Sequence, residues 1–236
     1  MWRLRSFPWP SRIRILNRRL NKEVKGMGKI YLIRHGETDS NLGHKFQGQM
    51  DLPLNGTGLK QARQMAAYMA GKKIDAIYSS SMLRARMTAA ELAMSKSMPY
   101  RSLDLLKEIS FGDWEGLEYA EITARWPKEM EAFLHRPAEW EPPHGETFAA
   151  AQERCRLAFE HIFAEQGHDK NIAIVSHGGI IRLQLCLALG IPLNNLWRLS
   201  VYNVSVSTLS DWQGNLCVDT MNVANFLKSS VEAHVI

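Results

Sequence analysis

Cysteine is scarce: three in 236 residues, Cys155, Cys186 and Cys217, each in an apolar helix-like or strand-like context and none at paired spacing. That excludes a disulfide framework and a cysteine-held zinc site, and it suits a reducing compartment, so a cytoplasmic location is expected. Long apolar runs are missing too. The N-terminal segment has none of the length a secretory signal needs, and nothing further along reads as a membrane span, so no membrane partner is expected. No His and carboxylate pair recurs at metal-ligand spacing, and neither internal repeats nor low-complexity segments occur. Positive charge, which the formal total of +5 suggests, is confined to one end. Residues 1–28 hold eight basic side chains against Glu23 alone, a net +7, which leaves −2 for residues 29–236. The body of the chain therefore has no general pull on polyanions, and nucleic acid is not an expected partner.

What is present is enough apolar sequence, 45% of the chain, to bury one large core, and the length suits a single α/β domain. Residues 1–28 read as a basic, disordered N-terminal extension, or as sequence upstream of a natural start at Met27, and residues 29–236 as one folded domain. Lys29 to Arg34 is an apolar run that stops at Gly36, as a buried parallel strand does when it delivers residues to a sheet edge. Asn55 caps a predicted helix to about Gly71, followed by a strand over Ile74 to Ser80, a helix over Met82 to Met94 and a third strand over Pro99 to Leu106. Pro127, Pro137, Pro142 and Pro143 break the next stretch into an irregular helical insertion. A regular helix is expected from Thr147 to Gln166, a strand from Asn171 to Ser176, a helix from Gly178 to Leu189, and a closing hairpin of Val201 to Leu209 with Leu216 to Val223. Strands alternating with helices predict a three-layer α/β/α sandwich. Its central sheet is mostly parallel, its ligand site lies at the carboxyl ends of the strands, and the insertion lies over that site.

Three chemistry-bearing segments fall at those ends: Arg34-His35-Gly36, Ser79-Ser80-Ser81 with Arg84, and Ser176-His177-Gly178-Gly179. Two histidines and two arginines converging on one crevice suit a phosphoryl group. Guanidinium forks match its oxygens bidentately, and their charge keeps neighbouring imidazoles neutral and nucleophilic. Glycine beside each histidine lets backbone approach the ligand and frees amides at a helix N-terminus.

These residues, with the blocks around them, are similar to the histidine phosphatase superfamily, which also contains the phosphoglycerate mutases. The matching blocks are Leu32 to Thr38 with Asn41; Gly48 to Asp51 with Pro53-Leu54; Ser80 through Arg84 to Ala89; Glu108-Ile109 with Phe111 to Gly116; Gly145 to Phe148; and Val175 to Gly179. The resemblance implies that His35 attacks phosphorus, that Arg34, Arg84 and His177 hold the phosphoryl oxygens, and that Asn41 adds a neutral donor. Glu108 would be the proton donor to the leaving group and then the base for water. It also implies no cofactor and no metal, a small phosphorylated metabolite as partner, and a monomer or homodimer. Two departures bear on the reaction. Met87 stands where a glutamine is common, and Glu108 to Trp114 lacks the arginine that mutases carry for a second anionic group, so hydrolysis is expected. The Phe111 to Gly116 block and the proline-rich approach to Gly145 resemble the α-ribazole phosphatase branch, which acts in cobalamin lower-loop assembly.

Thr38 and Gln47 read equally as pocket lining or as turn and cap residues, and Glu146 as the start of a helix. Trp114, Trp126 and Trp140 read first as core, although an aromatic lid would suit a substrate with a ring. His44, His135, His144, His161 and His168 sit in polar contexts and receive no role.

Overall fold

The computed structural model describes residues 27–227 apart from 213; the extension assigned to residues 1–28 lies outside these, save Met27 and Gly28. Strand β1 (Gly28–Arg34) is central, and its alternating side chains enter two cores. Ile30 and Leu32 pack into one cluster and Tyr31 and Ile33 into the other. Strand β4 (Ile172–Ser176) repeats the division, Ile172 and Ile174 on one face and Ala173 and Val175 on the other. Period-2 alternation with both faces apolar makes each strand the middle layer of three.

Parallel to β4 lie β2 (Ala76–Ser80) and then β3 (Arg101–Leu103), while β5 (Val206–Trp212) and β6 (Asn215–Val223) extend the sheet antiparallel beyond β1, giving the order β3-β2-β4-β1-β5-β6. Between the strands run α1 (Asp39–Leu42), α2 (Gly56–Met69), α3 (Leu83–Lys96), α4 (Tyr119–Arg125), α5 (Pro127–His135), α6 (Phe148–Gln166) and α7 (Gly178–Leu189). Helices α2 and α3 cover the face with Tyr31 and Ile33, through Met65, Met69, Ala85, Ala89 and Leu92. Helices α6 and α7, with the insertion, cover the other.

Helix starts follow their caps. The Asn55 side chain accepts from Gly58 N at 2.8 Å, and Thr147 accepts from Ala150 N at 3.1 Å, each satisfying an amide the helix leaves open. Pro127 opens α5, where its missing N–H costs nothing.

Two expectations need correction. The third strand ends at Leu103 because Asp104 turns the chain into a 3-10 helix, its carbonyl accepting from Lys107 N and its carboxylate paired with Ser81. Strand β5 starts at Val206, not Val201, and runs through Asp211-Trp212, so the turn is tighter than expected. Residues Val201 to Ser205 are instead a loop spent on the site, as described next. Trp114 and Trp140 are fully buried within a ring cluster around Phe133, so they are core and not a lid. Trp126 packs, partly buried, against the same core.

Candidate active site

Register places the site. Arg34 pairs with Ser176 at the carboxyl ends of β1 and β4, so the next residues, His35 and His177, stand side by side with ring centroids 5.2 Å apart. His35 Nδ1 lies 2.7 Å from Gly36 O, which accepts its proton and leaves Nε2 as the lone-pair nitrogen, an acceptor for Arg84. Arg84 Nε stands 3.3 Å from that Nε2. Burial first, then the charges of Arg84 and Arg34, hold the His35 pKa well below 6.5. The imidazole is therefore neutral across the physiological range.

His177 is fixed from behind. Its Nε2 lies 2.8 Å from Ser80 Oγ, which itself accepts from Met82 N at 3.2 Å. The other ring nitrogen, Nδ1, is buried with no protein partner and is the one left for a ligand. Burial, Arg84 and His35 together keep this histidine neutral as well, with its pKa well below 6.5.

The arginines are held as rigidly. Arg84 donates through Nη1 to Met50 O at 2.7 Å and through Nη2 to Gly48 O at 2.8 Å; Arg34 Nη1 donates to Val201 O at 2.7 Å. The loop before β5 also steadies His35, whose carbonyl accepts from Val204 N and Asn203 Nδ2. Thr88 ties α3 to β1, accepting from Gly36 N at 3.0 Å while donating to Arg84 O at 2.8 Å. Gly36 is a close approach: a Cβ there would lie 2.5 Å from Gly58 O. Asn41 Oδ1 accepts from Thr38 N, Thr38 Oγ1 and Asn203 Nδ2, so its amide hydrogens are the end left for a ligand. Thr38 is the cap of α1, a short helix without a periodic signature, and so the capping reading of Thr38 is the right one.

Arg34, His35, Asn41, Arg84 and Glu108 line one cavity of about 50 Å³, with His177 next to His35. That is room for a few waters at roughly 10–15 Å³ each, the scale of a phosphoryl group. Glu108 hangs over the start of α7: its Oε2 accepts from Gly179 N at 3.2 Å and its Oε1 from Ile109 N at 3.0 Å. Gly179 makes this possible, since a Cβ there would come within 2.6 Å of Oε1. Glu108 is the sole acid among the lining residues, against Arg34, Arg84, Arg182 and Lys45. The positive excess shows in the arginines themselves. Burial and the neighbouring Arg182 bring Arg34 down to about 9, and burial brings Arg84 and Arg182 to about 10, with Glu108 opposing in each case. A bound dianion relieves this repulsion.

Two charged lining groups, Lys45 and Arg182, escaped the sequence reading. Gln47, left open there, does line the cavity, with its Oε1 buried and unpartnered. Arg182 lines it too, donating through Nε to Leu199 O at 2.7 Å and lying 5.4 Å over the Trp197 ring. A lone arginine in the otherwise apolar Gly178–Leu189 was the available signal. The remaining wall is apolar: Phe46, Ile109, Phe111, Phe133, Phe148 and Trp197. Among the described residues, His, Cys, Asp and Glu nowhere gather in threes fit to hold a metal, and no helix is long and apolar enough to cross a membrane.

Two neutral imidazoles, converging guanidinium groups and one carboxylate at the carboxyl ends of parallel strands define an α/β enzyme of phosphoryl chemistry. The chain belongs to the histidine phosphatase superfamily (branch 1), whose sequence profile matches residues 30–224, and it is a phosphatase. It is 29% identical over 209 residues to phosphoserine phosphatase 1 of Hydrogenobacter thermophilus, covering 88% of this chain and 99% of that one. With the adenosylcobalamin/alpha-ribazole phosphatase of Escherichia coli it shares 28% over 176 residues, 73% of this chain and 85% of that one. The solved structure of mycobacterial glucosyl-3-phosphoglycerate phosphatase superposes with a TM-score of 0.76 at 29% identity, covering 84% of this chain and 99% of that one.

Proposed function

We propose that the chain hydrolyses a phosphate monoester of a small metabolite through a phosphohistidine on His35. The observation that carries this is His35 Nε2, left unprotonated by the Nδ1 bond to Gly36 and held by a long 3.3 Å bond from Arg84 Nε in a cavity with a positive excess. In the first step Nε2 forms a bond to phosphorus as the bond to the leaving oxygen breaks, and Glu108 gives that oxygen a proton. In the second step Glu108 takes a proton from water, whose oxygen bonds to phosphorus as the N–P bond breaks, releasing phosphate. Arg34, Arg84 and His177 hold the phosphoryl oxygens while charge redistributes among them, and Asn41 adds a neutral donor.

The leaving group on this reading bears a ring, with α-ribazole 5′-phosphate the candidate, because the wall beside the cradle is aromatic and apolar. The E. coli relative named for that substrate supports it. A second reading has one observation behind it: Arg182 and Lys45 line the same cavity and would suit a substrate with a carboxylate beside its phosphate, such as phosphoserine. Turnover against a panel of α-ribazole 5′-phosphate, phosphoserine, 3-phosphoglycerate, sugar phosphates and nucleotides decides between them. The ring-bearing ester should lead in kcat/KM by about tenfold or more, the worth of one well-made aromatic contact; a lead for phosphoserine would transfer the assignment to the second reading.

A further inference from the structure

Outside the reacting groups, one side chain carries more of the site's geometry than its position suggests. Arg154 lies on α6, and all five of its N–H bonds are used. Nη1 donates to Leu105 O at 2.9 Å and Lys107 O at 2.7 Å, and Nη2 to Glu108 O at 3.3 Å. Nη2 and Nε complete a bidentate pair with Glu146 at 2.7 and 2.9 Å. Three carbonyls in four residues, ending on that of Glu108, are thus gathered by one planar group. Glu146 in turn is strapped to the same loop, its N–H donating to Ser110 O at 2.8 Å. The helix-start role read from sequence belongs instead to Thr147.

We infer that Arg154, held by Glu146, is the positioning residue of the acid–base step: it fixes the loop from which Glu108 reaches the leaving group. Residues 104–111 form only one 3-10 turn and pair with no strand; Leu106 and Ile109 anchor them in the core and Ser176 Oγ donates to Leu106 O at 2.9 Å, while the carbonyls of Leu105 and Lys107 are gathered by Arg154. Gln49 Nε2 shares the Glu108 carbonyl from the opposite side, at 3.1 Å. The tolerance is narrow. Glu108 must clear Gly179 on one side while facing the cavity on the other, and a displacement near 1 Å is enough to cost roughly a hundredfold in rate. Arg154 does not line the cavity, and its N–H groups all go to the loop carbonyls and Glu146, so replacing it by another cation should spare phosphate binding. Lysine cannot replace it, since an ammonium has no planar fork to span three carbonyls and a carboxylate.

This inference rests on Glu108 being the acid and base, so the test runs Glu108→Gln beside Arg154→Lys and Glu146→Gln. Each variant is assayed with p-nitrophenyl phosphate, whose leaving group needs little protonation, and with n-propyl phosphate, whose alkoxide does. Vanadate inhibition reports the cradle. Arg154→Lys is expected to lower kcat for the alkyl ester by roughly 30-fold or more and the aryl phosphorylation step by less than about threefold, with vanadate inhibition unchanged. Glu146→Gln keeps the shape and should show the same pattern more weakly, and it carries the test if Arg154→Lys does not fold. Equal loss on both esters, or vanadate inhibition weakened in step, would make the pair a general structural brace and overturn the inference. If Glu108→Gln discriminates between the esters and the pair does not, this inference alone falls; if Glu108→Gln fails to discriminate, the assignment of Glu108 falls with it.

Discussion

The phosphate cradle and the aromatic wall meet in one cavity but are built by opposite means. Every cradle side chain hangs from a strand end or a helix start whose position the sheet dictates. Arg34 and His35 leave β1, His177 leaves β4 in register with it, and Arg84 opens α3 just after β2. The wall comes from segments with no partner in the sheet. Phe111 sits beside a 3-10 turn, Phe133 on a nine-residue helix and Trp197 in another 3-10 turn, held to Phe133 O through its indole N–H at 2.6 Å. Charge fixed to a rigid frame sets what reaction is done, and apolar packing on irregular chain sets on what.

That contrast predicts two different failures. Arg84→Ala should lower kcat/KM by roughly 10² to 10³ for aryl and alkyl phosphates alike, because a lost cation at the phosphoryl group is felt whatever the leaving group. Steady-state assays on both esters check it, and a loss confined to one would mean that the cradle is not a common machine. Trp197→Ala should act on choice. KM for a ring-bearing phosphate should rise by about tenfold while n-propyl phosphate changes by less than about twofold, as expected for one aromatic contact. Equal effects on both would dissolve the distinction between wall and cradle.

A smaller effect separates the regions by stability. His35 and His177 have folded pKa values well below 6.5, through burial and the adjacent arginines, while the unfolded side chains titrate near 6.5. Below 6.5 the unfolded chain binds protons that the folded chain refuses. The stability tied to these groups is therefore fully present above pH 6.5 and lost as pH falls, at a limiting slope of about 1.4 kcal/mol per pH unit for each histidine. Chemical denaturation between pH 7 and 5 should show this slope, flattened in a His35→Asn, His177→Asn double variant. An unchanged slope would mean that other titratable groups, the surface carboxylates among them, govern acid stability.

The same contrast explains what the sequence made legible. The cradle announces itself because a short apolar run ending in Arg-His-Gly, or in Ser-His-Gly-Gly, carries its own register, and the strand end then fixes the side chain in space. Helix α1 is four residues long, too short for any period, so the sequence offers Asn41 as a donor by resemblance alone and gives no sign of its part in a capping box. The loop Val201 to Ser205 was read as strand because its residues favour strands; tertiary demand overrode that preference, since Arg34 and His35 need its backbone. Trp114 and Trp140 read first as core from their sequence context, and the closing of the insertion onto Phe133 shows what they pack against. Arg154 and Glu146 are eight residues apart, and the loop they serve is more than forty residues upstream of Arg154. No local pattern reports a contact of that span.

The most direct test of the account is whether phosphate ever resides on His35. Glu108→Gln incubated with p-nitrophenyl phosphate should pass the first step and stall at the second, accumulating an acid-labile, base-stable phosphohistidine that peptide mapping assigns to the fragment containing His35. His35→Ala under the same conditions should yield neither phosphoenzyme nor turnover. A phosphoenzyme mapped to another residue, or full turnover by His35→Ala, would contradict the account.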